Sequence, residues 1–209
     1  MHTPAHFREH DLARLHDLID AFNFGILTTC GGDGRPDASH LPFVLDRGTG
    51  DLGVLHGHVG RANDQWRSLQ NDAAVLVIFN GPDAYISPTR YLSIGVPTWN
   101  YVSVHAYGTA NVADDPGAVR TALERLVAFQ ERKHGTDWRI DSLPSDDAEA
   151  LVRQLVAFEI RITHLEGKWK LGQNRDDADR INAGEGLAAG GDPVAAALGK
   201  LMLDELKRR

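Results

Sequence analysis

A single cysteine, Cys30, in a chain of 209 residues rules out an intrachain disulfide and the stapled folds of small secreted domains. Cys30 ends the apolar run FGILTTC, so a buried, inert thiol is expected. No apolar run approaches the ~20 residues needed to span a bilayer. The opening MHTPAHFREHDLARLHD is charged from the start, and neither a signal peptide nor a membrane anchor is expected there. The expected location is the cytoplasm. Positive charge is also short: 22 Lys and Arg face 29 Asp and Glu, for a net charge of −7. Without a basic field, binding to polyanions has no general electrostatic basis, so direct DNA binding is doubtful and any basic site must be local. HExxH, the βαβ alternation of a dinucleotide fold, a Ser–His–acid order and paired-carboxylate spacing are all missing. Zinc-protease, dinucleotide-fold and hydrolase readings therefore lack support.

Core-forming residues are plentiful. Apolar residues make up 42% of the chain, enough for a packed interior in one large domain or one domain with an appendage. Leu12, Leu15, Ile19 and Phe22 recur at helical spacing and predict a helix over 9–22. FGILTTC reads as a strand, GGDGRP as a turn and DASHLPFVLD as a second strand; RGTG then turns into LGVLHGH. AAVLVIF is nearly all apolar, as in a strand buried on both faces, and WNYVSVHAYGTANV is rich in β-branched and aromatic residues. From Asp115 the period lengthens. Pro116 suits a first helical position, and Val119, Leu123, Leu126 and Val127 form a helical stripe. A further helix is expected near 146–155. VAFEIRITH alternates, with Phe158, Ile160 and Ile162 on one face and Glu159, Arg161 and Thr163 on the other.

Five or six strands on tight turns, with helices inserted later, predict a mainly β fold built as a small antiparallel barrel. The expected organisation is a β domain over 1–181 with a helical insertion around 115–155. A glycine-rich flexible linker, NAGEGLAAGGDP (182–193), then leads to a C-terminal helix within 182–209, whose basic KRR end suits a helix C-terminus.

The stretch with chemical promise is GHVGRANDQW (57–66). His58 ends a strand, Arg61 follows, and Ala62, Asn63 and Asp64 read as the start of a short helix. A guanidinium beside a helix N-terminus is a ready phosphate site; the plain alternative is a solvated surface arginine. Upstream, Ser39 and Leu41 share one strand face, and His40 and Pro42 the other. Pro42 cannot donate a ladder hydrogen bond, so this strand should lie open on an edge, where backbone groups suit the rim of a planar heterocycle such as isoalloxazine. VPTWNYVSVHAYG and LEGKWKLGQNR set Trp99 and Trp169 among polar side chains. These are either core aromatics or the walls of a flat ligand, with Asn100, Gln173 and Arg175 at its polar edge. KWK with Arg175 makes a local positive patch. His56 and His58 share a strand face, with His40 and His105 as candidate neighbours. Without a cysteine or acidic ligand at suitable spacing, no metal is expected.

Five collinear segments, ASHLPFVLD, GHVGRANDQW, VLVIFNGPDAYISP, VPTWNYVSVHAYG and FEIRITHLEGKWKLGQNR, resemble the PaiB-type FMN-binding negative transcriptional regulators, from about residue 1 to 177. HVGRANDQWRSLQNDAAVLVIF is more distantly similar to the pyridoxamine-phosphate-oxidase-like split barrels. The resemblance implies an FMN-binding split β-barrel homodimer with the flavin at the subunit interface, in a family named for repressing sporulation and degradative-enzyme genes. By the same resemblance, Arg61 matches the residue that holds the FMN phosphate, and Ser39, His40 and Leu41 the strand beside the flavin. His58 and Asn63 flank Arg61 in its motif, and Trp99, Asn100, Gln173 and Arg175 lie in motifs that complete the pocket. Gly60 and Asp64 depart from the family's ARANP pattern. A regulator is the leading expectation; an FMN-dependent oxidoreductase, or a haem-binding or haem-degrading split barrel, is the alternative.

Overall fold

The computed structural model describes residues 1–113 and 115–208. Among these, eight strands form one sheet: β1 (Arg8–Glu9), β2 (Phe24–Cys30), β3 (Pro36–Pro42), β4 (Val44–Asp46), β5 (Val54–Gly60), β6 (Ala73–Ile86), β7 (Thr98–Ala113) and β8 (Leu155–Lys170). The α-helices are α1 (Leu12–Ala21), α2 (Pro116–His134), α3 (Ser145–Arg153), α4 (Asp177–Ala188) and α5 (Pro193–Leu206). Strand order is β3-β2-β6-β7-β8-β5-β4, with β1 paired to β8. The β2–β3, β2–β6, β4–β5, β5–β8 and β1–β8 pairings are antiparallel, as expected for a mainly β chain on tight turns. The contacts divide the chain into two compact units. A terminal unit holds Met1–Leu15, Asn80–Val104 and Glu166–Arg209, and a central unit holds His16–Phe79 and His105–Leu165.

In the central unit, β2 alternates by burial: Gly25, Leu27 and Thr29 point inward. DASHLPFVLD, expected as one strand, is two. Phe43 stands between β3 and β4, its N–H donating to the Asn23 carbonyl (2.8 Å) while Asn23 Nδ2 donates to the Phe43 carbonyl (2.9 Å). The fully buried Phe43 ring meets Phe79 edge-on at 5.6 Å and Phe158 at 6.2 Å. Strands one residue apart in the chain thus stand at opposite ends of the strand order, so this sheet curls into a barrel left open between β3 and β4. β3 is an edge strand, in keeping with Pro42.

The helices of the central unit follow their local signals. The Asp115 side chain accepts from the Ala118 N–H, Pro116 opens α2, and Gly135 closes it at φ +71°. Val119 and Leu123 pack with Ile140, Ala148, Val152 and Ala157. Lys133 Nζ donates to the carbonyls of Asp20 (3.0 Å) and Ala21 (2.9 Å) and to Asn23 Oδ1 (3.0 Å), covering acceptors left at the end of α1. Cys30 corrects the expectation of a buried thiol. As the last residue of β2 it falls on the outward side of the alternation and is exposed, its Sγ 3.7 Å from the Gly34 carbonyl.

The terminal unit corrects the expected linker. Residues 182–188 belong to α4, and a short turn leads from it to α5, whose cap Asp192 accepts from the N–H groups of Val194 and Ala195. The glycines serve close approach, not flexibility. A Cβ on Gly199 would stand 2.5 Å from the Gly184 carbonyl oxygen and 2.6 Å from the Ala188 nitrogen, so α4 and α5 touch backbone to backbone. At the C-terminus α5 ends at Leu206, and Arg209 of the KRR end lies outside the described residues. The loop after β6 is held by Asp179, a buried side chain of α4. Its Oδ1 accepts from the N–H groups of Leu92 (2.7 Å) and Ser93 (3.0 Å), and its Oδ2 from the Ser93 hydroxyl (2.6 Å). The bonds from Ser93 and Leu92, with the Arg175 charge nearby, hold the Asp179 carboxyl below the usual carboxylate range.

Two outcomes follow. Gly199→Ala gains helix propensity of about 1 kcal/mol but forces two backbones apart, and overpacking costs about 1–3 kcal/mol. Its melting temperature should fall, at about 2–4 °C per kcal/mol for a chain of this size; a rise in a calorimetric melt would mean that α4 and α5 separate freely. For Asp179, a lowered folded pKa means stability that is full above the unfolded value of about 3.9 and lost as pH falls through the folded one. Asp179→Asn should therefore melt lower than wild type at neutral pH. Its further loss on acidification below about pH 4 should be smaller, as read from paired thermal melts across that range.

Candidate functional site

The corner at residues 57–66 is built by β5 and the turn that follows it. Leu55, Gly57 and Val59 face the core, so His56 and His58 face the other way, half-buried. Burial lowers the His58 pKa below the ordinary histidine value. Past Gly60, the Asn63 N–H donates to the Gly60 carbonyl (2.9 Å), and a short 3-10 helix begins at Asp64–Leu69, in the place the sequence assigned to a helix. Asn63 joins two elements: its Oδ1 accepts from the Gln65 N–H (3.0 Å) and its Nδ2 donates to Ser39 Oγ on β3 (3.0 Å). Ser39 and Leu41 are half-buried, and His40 is exposed with its ring 6.2 Å from Phe24.

Arg61 lies exposed in the same turn. Its Nε donates to the Arg153 carbonyl (3.1 Å) and its Nη2 to the Leu155 carbonyl (3.0 Å). Those bonds use one edge of the guanidinium. The opposite edge, Nη1 with the second Nη2 hydrogen, keeps two parallel donors of the kind that match two oxygens of a phosphate. The turn is also anchored from below by Gln65, which the sequence reading did not single out. Buried, it donates from Nε2 to the Leu27 carbonyl (3.3 Å) and Thr29 Oγ1 (3.1 Å). Its only local signal is a polar residue two places after a capping asparagine.

The other four expected site residues lie in the terminal unit. Trp99 is exposed, edge-on to Tyr85 at 6.4 Å. Asn100 is buried, its Nδ2 3.6 Å from Met202 Sδ. Gln173 fastens the turn after β8, donating to the Trp169 carbonyl (2.6 Å) and accepting from the Leu171 N–H (2.8 Å). Arg175 donates to the Ile94 carbonyl (3.0 Å), lies over the Tyr91 ring at 4.3 Å and stands 3.8 Å from Asp179. Trp169 is a core residue, with Arg14 over its ring at 5.3 Å. The structure therefore bonds Ser39 to Asn63 in the turn that follows His58 and carries Arg61, whereas Asn100, Gln173 and Arg175 are engaged inside their own unit.

Residues 1–164 match the sequence family described as "Putative FMN-binding domain". The chain is 31% identical over 210 residues to "Protease synthase and sporulation protein PAI 2" of Bacillus subtilis (strain 168), covering 100% of both chains. Two solved structures share its fold. One is the FAD and haem binding protein from Mycobacterium smegmatis, with a TM-score of 0.58, 23% identity, and coverage of 88% of this chain and 80% of that one. The other is the flavocytochrome Anf3 from Azotobacter vinelandii, with a TM-score of 0.59, 15% identity, and coverage of 85% and 77%. No helix among the described residues is long and apolar enough to cross a membrane. With a family match over most of its length and a relative aligned from end to end, this chain belongs to the FMN-binding domain family, and FMN is its cofactor.

Proposed function

We propose that the chain works as a cytoplasmic FMN-binding homodimer of the split-barrel type, in a negative regulatory role, and that the corner at 57–66 receives the FMN phosphate. The name of the Bacillus relative ties that protein to protease synthesis and sporulation, which supports the regulatory part. The observation that carries the phosphate site is the divided use of Arg61. Main-chain carbonyls fix one edge of the guanidinium and leave the other free, in the turn whose capping Asn63 is bonded to Ser39. A charged fork pre-oriented in this way loses little entropy on meeting a dianion. His40 and Leu41 continue along the edge strand where the flavin ring would run, and His58 leads into the turn. FMN, when bound, supplies redox chemistry; the residues named here bind and orient it.

Dimerisation is proposed from the terminal unit. Tyr85, Leu92, Ile94, Val96 and Trp99 are all exposed, and Ile94 is 100% exposed. The bonds to Asp179 and from Arg175 to the Ile94 carbonyl fix the loop, so these side chains are displayed in place and not by a mobile segment. A fixed cluster of large apolar side chains is costly in water, and a second copy of this chain is the proposed cover.

Truncating Arg61 to alanine removes two hydrogen bonds to a charged group, each worth about 1.5–3 kcal/mol, so FMN affinity should fall at least tenfold. Arg61→Lys should recover part of the loss, because the charge remains without the fork. Isothermal titration with riboflavin, which lacks the phosphate, should barely separate the three proteins; equal losses for both ligands would place the phosphate elsewhere. The dimer is tested by sedimentation at micromolar concentration. Wild type should sediment as a dimer and Ile94→Asp as a monomer, and a wild-type monomer would remove the interface.

A further inference from the structure

The central unit holds a polar cleft that shares no residue with the 57–66 corner. On one side, α2 presents Ala118, Thr121, Ala122 and Arg125, spaced i, i+3, i+4 and i+7 and so on one helical stripe. This stripe borders the Val119 and Leu123 face that packs into the core, against which Ala122 also packs. On the other side lie β5 and β8, where His56 and Glu159 are paired directly across the ladder. Opposed residues on neighbouring strands have Cβ atoms about 5 Å apart. Alanines at 118, 122 and 157 keep the space between helix and sheet open, and the cavity measures about 240 Å³.

The polar groups on this cleft are not used up by the fold. His56 Nε2 is buried with no hydrogen-bond partner among the described residues. The side chains of Arg125 and Glu159 likewise form no hydrogen bond or ion pair among the described residues, whereas Arg120 on the same helix is paired with both Glu124 and Asp141. Arg125 stands close enough for its charge to act on both His56 and Asp46. Burial first, and then the Arg125 charge, push the His56 pKa below the ordinary value, so its ring is neutral and able to accept a hydrogen bond.

The charges set the chemistry of the occupant. A simple anion would meet Arg125 but also Glu159 and Asp46, and a simple cation would meet Arg125. A ligand with a carboxylate and an ammonium a few bonds apart satisfies both signs. The volume corresponds to roughly eight waters at ~30 Å³ each and falls below the ~300 Å³ where drug-sized pockets begin. We propose that this cleft binds a small α-amino acid, its carboxylate on the Arg125 fork and its ammonium on the Glu159 carboxylate, against the neutral His56 ring. The site stands independently of the proposed FMN corner.

The test uses the full-length, FMN-loaded protein. The proteinogenic L-amino acids are screened singly at millimolar concentration by thermal shift, and the best binder is titrated calorimetrically beside its N-acetyl and α-amide derivatives. Saturable binding is expected for at least one amino acid, with each derivative at least tenfold weaker. Arg125→Gln should lose the preference for the free acid over the amide, and Glu159→Gln the preference for the free amine over the acetylated form. FMN affinity, measured in the same samples, should stay at the wild-type value in both variants. Failure of every amino acid to bind, equal binding by acetate or phosphate, or affinity that survives both substitutions overturns the proposal. A loss of FMN binding in either variant also overturns it, by placing the effect at the cofactor site. Because the derivatives are tested on wild-type protein, the answer does not depend on how well the variants fold.

Discussion

The central unit depends on one reciprocal pair of hydrogen bonds, between buried Asn23 and the backbone of Phe43. Those bonds take up the polar groups exposed when the ladder is interrupted, and they do so where water cannot. The interruption lets Phe43 turn inward against Phe79 and Phe158, and it frees the chain to leave β3 on one edge of the sheet and resume as β4 on the other. Lys133 closes the arrangement from α2 by donating to Asn23 Oδ1. One amide side chain thereby couples the end of α1, the barrel opening and α2.

Short polar side chains play the same part elsewhere. Asn63 ties the 3-10 turn to β3, and Asp179 ties α4 to the loop that carries Ile94. Each satisfies several backbone or hydroxyl groups from one position, which fixes a loop without a large apolar contact. Loops held this way can carry function, because their stiffness does not come from burying the residues they display.

Much of the fold was legible in local pattern. FGILTTC became β2 at the expected residues, VAFEIRITH alternates as read, Pro42 marks an edge, and Asp115–Pro116 opens α2. What was not legible depended on distant partners. HLPFVLD gives no local sign that Phe43 must break the ladder, since its partner Asn23 is 20 residues upstream. Glycines at 184 and 199 look like flexibility until two helices are seen to meet at them. Cys30 sits on the outward phase of a strand whose last residue could not be phased from composition. At the candidate site the motif GHVGRANDQW exposed Arg61 and Asn63, because turn, cap and guanidinium are contiguous. The carbonyls that orient Arg61 lie 92 and 94 residues away, and the facing of His56 by Glu159 exists only once the β5–β8 register is set.

The pairing of β1 with β8 has a consequence for how the chain comes into being. Arg8 and Glu9 lie opposite Lys168 and Gly167, and the terminal amine of Met1 pairs with Glu166. On a ribosome the first strand emerges when its partner is still about 160 residues from synthesis, at rates on the order of 5–20 residues per second. The N-terminal segment must wait for seconds with its ladder groups unmatched, and contacts of such long sequence separation form slowly even in a finished chain. A two-residue strand bearing one arginine and one glutamate is a poor template for mispairing in that interval. The brevity and charge of β1 therefore suit a strand that is made first and used last.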